Sequence, residues 1–196
     1  GLSPQNLWDE KDVWVITYGD SVHTPEEAPL KTLQNFLNGP LKGMLTGVHI
    51  LPFFPFSSDH GFAVTDYDTV CPSLGDWDDI ANIARTHRVM SDLVINHCSS
   101  EHPWFKSFCT GEGTGRDYFR LVQAEDDLSE VVRPRTSDLR RPTPTEQGLA
   151  QVWCTFSHDQ VDLDFRNPEV LLEFVRIIRL HLDSGVRAFR LDAVAF

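Results

Sequence analysis

Basic charge is scarce in this chain, with 17 Lys and Arg against 29 Asp and Glu and a formal charge of −12. Nucleic acid and anionic membranes are thereby disfavoured as partners, because binding either requires Lys and Arg to neutralise phosphates. No apolar run approaches the about 18 residues of a membrane-spanning helix, and the first residues lack the charged-then-apolar layout of a signal peptide. The four cysteines, Cys71, Cys98, Cys109 and Cys154, form no CxxC pair. In mainly hydrophobic or aromatic surroundings they read as reduced thiols of a cytoplasmic protein, not as a disulfide framework or zinc site. His60, His97 and His102 do not have the spacing of a metal-ligand set either. What is present, 196 residues with 41% apolar content, suffices for one globular core. A small neutral substrate suits such a chain. It opens on Gly1 and closes on Phe196 within an apolar run, and we expect a fragment.

Strand and helix signals alternate along the first half. Val13 to Tyr18 (VWVITY) reads as a buried strand closed by Gly19-Asp20, and Leu30, Leu33 and Leu37 then follow at helical spacing until Gly39-Pro40. Gly47 to Phe54 is a second apolar run, cut by Pro52 and Pro55. Asp76 is placed to cap a helix with Trp77, Ile80, Ala81 and Ala84 on one face, before strand character returns over Val89 to Asn96. Such alternation predicts a parallel α/β architecture. From His97 to about Asp164 it lapses, over a stretch far longer than the about 2–6 residues of an ordinary connection. An inserted subdomain or functional loop is expected there. Asn167 then caps a helix with Pro168 at its first position and Leu171, Phe174, Val175, Ile178 and Leu182 on one face, and Gly185 leads into a last strand. Glu169, Glu173, Arg176 and Asp183 supply its wet face.

That last strand, GVRAFRLDAVAF, carries Arg190 and Asp192 two residues apart. Period-2 alternation puts both side chains on one strand face. Two readings follow: a structural ion pair, or a nucleophilic carboxylate kept ionised and oriented by a guanidinium. Ligands meet parallel sheets at the C-terminal ends of their strands. Asp59, His60 and Phe62 (in FSSDHGF), Asn96 and His97 (in DLVINH) and Arg190 and Asp192 all fall in that position. Singly each has a bland reading: a turn cap before Gly61 for Asp59, a satisfied histidine for His97, a structural partner within the strand layer for Asp92.

Taken in order, DLVINH, QVDLDF and FRLDAVAF resemble three signatures of the α-amylase superfamily, glycoside hydrolase family 13. ITYGDS, HILPFFPFSSDHGF, GDWDDI, VRPR and VWCTFSHDQVDL are similar to its sucrose phosphorylase and glucosylglycerate phosphorylase branch. The resemblance covers nearly the whole chain. It implies a partial (β/α)8 TIM barrel of about four strand–helix units with an irregular insertion after the third strand. Residues 1–97 would form the first part of the barrel, 98–164 the insertion, and 165–196 the next helix and strand.

The resemblance also implies roles. Asp192 matches the nucleophile and Arg190 the arginine beside it; His97 matches the histidine on the glucosyl 6-hydroxyl, Asp59 the acid on its far hydroxyls, and Phe62 the platform beneath. Phe156 and Gln160 match positions near the acceptor, Asn96 and Asp92 match residues that shape the strand end, and Asp162 receives no role. The acid/base glutamate belongs to a later strand, so the 196 residues are expected to be inactive alone. Four arginines lie within nine positions, Arg133, Arg135, Arg140 and Arg141. The cluster reads as a solvated loop pairing with Asp126, Asp127 and Glu130, except that Arg135, within VRPR, is assigned to substrate or phosphate. The implied activity is a retaining α-glucoside phosphorylase, with glycerate as the favoured acceptor. No cofactor or metal is implied, inorganic phosphate is a co-substrate, and the partners are a small sugar and phosphate; the oligomeric state stays open. A sucrose hydrolase or transglucosidase, and a non-catalytic sugar- or partner-binding product, are the competing readings.

Overall fold

The computed structural model describes residues 8–123, 125–129, 131–133 and 136–194. In chain order its elements are β1 (Trp14–Thr17), α1 (Pro29–Asn38), β2 (Gly47–Ile50), α2 (Trp77–Ala84), β3 (Arg88–Val94) and β4 (His97–Ser99). Then come α3 (Pro103–Thr110), β5 (Arg140–Thr145), β6 (Gly148–Trp153), β7 (Gln160–Asp162), α4 (Pro168–Asp183) and β8 (Ala188–Asp192). They fall into two compact units, one of residues 8–53, 70–92 and 181–190, the other of 54–69, 93–180 and 191–194.

A four-stranded sheet of order β1-β2-β3-β8 dominates the first unit. Its β1/β2 and β2/β3 pairs are parallel, with Trp14 opposite Gly47 and Gly47 opposite Arg88. Every residue of β2 is buried, as expected of a strand covered on both faces. Proline at the first turn of α1 fixes φ where no N–H is needed, and Leu30, Leu33 and Leu37 turn inward. Asp76 and Asp79 form a reciprocal capping box at the start of α2, satisfying two backbone donors that would otherwise lack partners. Ile80 and Ile83 are its buried residues, so the inward stripe includes Ile83, not Ala81. At the bottom of this core His181 is fully buried, its Nδ1 2.9 Å from the Ser91 hydroxyl and its ring against Phe53, Trp77 and Phe189.

The second unit holds the segment expected to be irregular, and the structure corrects that expectation. His102 accepts from the Trp104 amide to cap α3, which ends on left-handed Gly111. β5 and β6 form an antiparallel hairpin, and β7 pairs antiparallel with β4. Pro142 and Pro144 hid the hairpin, because proline inside a run argues against a strand. Here β5 is paired on one side by β6, whose other edge is taken by residues 120–122. Among the described residues the prolines therefore occupy an edge strand, where a missing N–H removes no ladder bond. Asn167 accepts from the Glu169 amide, capping α4 as expected. The buried stripe of α4 is Val170, Phe174 and Ile177, however, while Leu171, Val175 and Leu182 are exposed. Apolar residues fill both stripes in sequence, and only packing selects between them. Tyr67 centres an aromatic core with Phe54, His102, Trp104 and Phe174, and its hydroxyl lies 2.8 Å from the Val94 carbonyl and 2.9 Å from that of His97.

Candidate active site

A short loop carries Asp59 and Phe62. Phe56 and Val64 form an antiparallel bridge at its base, and the Ser57 amide donates to the Ala63 carbonyl at 3.0 Å. At its tip the Asp59–Gly61 turn holds Asp59 at φ 56° and His60 at φ 52°. Left-handed backbone at non-glycine residues costs of order 1 kcal/mol each and persists only where surrounding contacts over-determine it. The strain presents Asp59 and the exposed His60 at the tip, with Phe62 half-buried behind them.

His97 lies at the start of β4, fully buried. Its Nε2 is 3.0 Å from the Phe62 carbonyl, which only accepts, so Nε2 carries the proton and Nδ1 accepts from the Asn96 amide at 3.2 Å. Burial pushes its pKa down to about 4, against smaller opposing effects of the Phe62 carbonyl and the Asp59 charge. At neutral pH it is an uncharged donor. Gln160 sits opposite Ser99 in the β4/β7 register. Its amide nitrogen donates to the Asp59 carboxylate at 2.8 Å and its oxygen accepts from the Ser157 hydroxyl at 2.9 Å. The Phe156 ring centroid is 5.1 Å from that of His97. Asp59, Phe62, His97, Phe156 and Gln160 thus form one constellation.

Behind it Asp162, opposite His97 in register, accepts from the Thr155 amide at 3.0 Å and from the Thr155 hydroxyl, which in turn accepts from the Trp153 indole at 3.1 Å. Burial raises its pKa to about 6 although Thr155 and Asn96 oppose the shift. A cleft of about 620 Å³ in the same unit is lined by Asn96, Arg120, Asp164, Phe165 and Val194.

Asp192 ends β8, half-buried, ahead of Ala193 at φ 51°. It belongs to the same unit as the constellation, and its charge, after burial, helps to raise the Tyr67 pKa. Arg190 belongs to the first unit. Its Nη1 is 2.6 Å from Asp92, a fully buried carboxylate whose other oxygen is 2.6 Å from Nε2 of His49. Asp92 is thus a structural partner in the strand layer, as expected. Arg135 lies outside the described residues. Glu130, one of the acids expected to pair with the cluster, lies outside the described residues as well; among the described residues, Asp126 and Asp127 accept from the amides of Gln123 and Ser129 and no ion pair joins them to Arg133, Arg140 or Arg141. Arg133 donates to the Cys154 and Thr155 carbonyls, Arg140 pairs with Asp138, and Arg141 lies over the Phe105 ring. Sequence reasoning passed over Tyr67, which no local pattern marks, and Asp159, whose partners come from two distant segments.

Residues 41–196 match the family model described as alpha amylase, catalytic domain. The glucosylglycerate phosphorylase of Allomeiothermus silvanus is 47% identical over 96% of this chain, and that of Escherichia coli 41% over 96%. The sucrose phosphorylase of Agrobacterium vitis is 32% identical over 95%. These matches take in 34%, 34% and 40% of the relatives, so the chain spans between a third and two fifths of their length. Among solved structures, sucrose 6F-phosphate phosphorylase from Thermoanaerobacter thermosaccharolyticum superposes with a TM-score of 0.86 at 30% identity, covering 96% of this chain and 41% of that one. The trehalulose synthase MutB from Pseudomonas mesoacidophila gives 0.79 at 28%, covering 94% and 35%. Because that family model takes in residues 41–196, well over half of the chain, the chain belongs to the alpha-amylase catalytic-domain family.

Proposed function

We propose that this chain carries the glucose-binding residues and the nucleophile of a retaining α-glucoside phosphorylase whose donor is glucosylglycerate and whose acceptor is inorganic phosphate. The observation that carries the reading is the Asp59–Gln160–His97 constellation in a chain 47% identical to a glucosylglycerate phosphorylase. On this reading Asp59 accepts from the far hydroxyls of the glucosyl ring, neutral His97 binds the 6-hydroxyl, and Phe62 stacks beneath the ring's apolar face. Phe156 and Gln160 face the acceptor, and Arg135 meets its anionic group or phosphate, to which a guanidinium fork is matched. Asp192, kept ionised by Arg190, attacks the anomeric carbon as the glycosidic C–O bond breaks, and the departing glycerate oxygen takes a proton from a second carboxyl. Phosphate oxygen then attacks the same carbon from the opposite face and releases Asp192. Two inversions give net retention as α-glucose 1-phosphate.

The second carboxyl must stand about 5–5.5 Å from the nucleophile. It comes, on this reading, from sequence beyond these 196 residues, which by themselves would be inactive. No organic cofactor or metal takes part. The setting is the cytoplasm, which suits four free cysteines; no described helix is long and apolar enough to cross a membrane.

Likeness to a trehalulose synthase favours a second reading, transfer of the glucosyl group to a sugar or water. The test is glucose 1-phosphate formation by the full-length gene product from glucosylglycerate and from sucrose, with and without phosphate. Phosphate-dependent release from glucosylglycerate, falling by at least about 10⁴-fold in Asp192→Asn, is the expected result. Turnover indifferent to phosphate would replace this reading with the second.

A further inference from the structure

Asp159 is half-buried, and its carboxylate gathers four serine hydroxyls. Oδ2 accepts from Ser57 and Ser58, each at 2.5 Å, while Oδ1 accepts from Ser100 at 2.7 Å and faces Ser99 at 3.4 Å. The Ser57 and Ser99 hydroxyls are themselves 2.6 Å apart. Ser57, Ser58 and Ser100 donate to the carboxylate, and with the Ser57 proton so placed the single hydroxyl proton of Ser99 goes to Ser57 Oγ. The hydroxyls pull its pKa below the ordinary carboxylate range although burial alone would raise it. The partners come from two segments remote in sequence from Asp159. Ser57 and Ser58 immediately precede Asp59 in the strained loop, and Ser99 and Ser100 follow His97 at the end of β4. The Ser100 amide also donates to the Asp159 carbonyl at 2.9 Å, so backbone and side chain hold the same junction.

Asp159 and Gln160 act on consecutive stretches of that loop. The carboxylate of one holds Ser57 and Ser58; the amide of the other donates to Asp59 at 2.8 Å. A loop with two non-glycine residues at positive φ needs such over-determination. The hydrogen bonds of Ser57, Ser58 and Ser100 converge on the Asp159 charge, and Ser58 and Gln160 are each joined to a neighbour of that junction through the backbone.

We propose that Asp159 is a positioning residue that fixes the Asp59–Phe62 loop against the His97 strand, and so sets affinity for the sugar that the loop recognises. The proposal rests on the phosphorylase reading for the identity of that sugar. Its consequence is a separation of effects: loosening the loop weakens ground-state binding of the glucosyl ring and leaves the bond-breaking step, centred on Asp192, nearly intact.

The test compares full-length wild type, Asp159→Asn and Ser58→Ala. The asparagine keeps one accepting oxygen, and its NH2 can donate to hydroxyls that turn to meet it, so the variant is expected to fold. Ser58→Ala removes a single hydroxyl and reports should it not. In Asp159→Asn the KM for glucosylglycerate and the inhibition constant for glucose should rise together by about tenfold, with kcat changed less than about threefold, the size expected for one lost charge-assisted hydrogen bond. Ser58→Ala should shift them in the same direction and by less. Hydrogen exchange at the 57–64 amides should quicken by about tenfold while that of β1, β2 and β3 stays unchanged. Unaltered KM and glucose inhibition in a folded variant would overturn the proposal. So would exchange that quickens equally throughout, which marks a general stabilising role. If wild type turns over no glucoside, the phosphorylase reading falls. The loop exchange and glucose binding by calorimetry then still decide the role of Asp159, which fails if neither moves.

Discussion

Lowering the pH from 7 to 5 should cost this chain much of its stability, because His97, His102 and His181 are buried in the neutral form. Burial pushes each pKa down to about 4, whereas imidazole in an unfolded chain titrates near about 6.5. A depressed histidine binds its proton later in the native than in the unfolded state, so native stability falls as pH drops through about 6.5 and levels off only near about 4. Over the interval from pH 7 to 5 each histidine then costs about 2 kcal/mol, or about 6 for the three. Asp162 works in the opposite direction. Its pKa, raised by burial to about 6, makes the native state take up a proton first and returns about 1 kcal/mol over the same interval. Asp164, bound by Arg166, and Asp159 have lowered pKa values and titrate below this window. The net loss is about 4–5 kcal/mol, a large share of the about 5–15 kcal/mol that holds a typical domain together. Urea unfolding followed by tryptophan fluorescence at pH 7, 6 and 5 measures it. With a slope of about 2 kcal/mol per molar, the midpoint should fall by about 2 M. His181→Gln, which removes one of the three groups, should reduce that fall by about 1 M whatever it does to stability at pH 7. A midpoint that stays level from pH 7 to 5 would refute the reasoning.

Two further substitutions test the second unit's core. Tyr67→Phe keeps the ring contacts with Phe54, Trp104 and Phe174 but removes the hydroxyl from the Val94 and His97 carbonyls. It should lower stability by about 1–3 kcal/mol, read as a fall of a few degrees in Tm, and an unchanged Tm would show that the hydroxyl contributes nothing. Gly115→Ala combines φ of +101° with a Cβ that would fall on the Trp104 backbone. It should cost about 2 kcal/mol or more, whereas Gly148→Ala, at φ +113° with open space around it, should show the backbone penalty alone.

How much could be read in advance divides along a physical line. The alternation of β1, α1, β2, α2 and β3 lay in local patterns: period-2 or continuous apolar runs, an Asp76 cap, Pro29 and Pro168 at helix starts, glycine at helix ends. Those signals act over a few residues, so a sequence displays them directly. Family signatures singled out Asp59, His97 and Gln160, and the fold brings these three together; the roles given to them and to Asp192 belong to the proposed function. What the sequence could not decide was anything requiring two distant segments to meet. Val170, Phe174 and Ile177, not Leu171 and Val175, face inward on α4 because the neighbours to be packed are fixed elsewhere in the chain. A proline-bearing strand survives in β5 because β6 pairs it on one side only. Arg190 is seen bonded to Asp92, 98 residues away in the chain. The four serines on Asp159 come from positions 57–58 and 99–100. Local preference writes the elements and the residue types of the site. Long-range packing and hydrogen bonding choose which faces are buried and which charges meet, because those energies depend on neighbours that only the folded chain brings together.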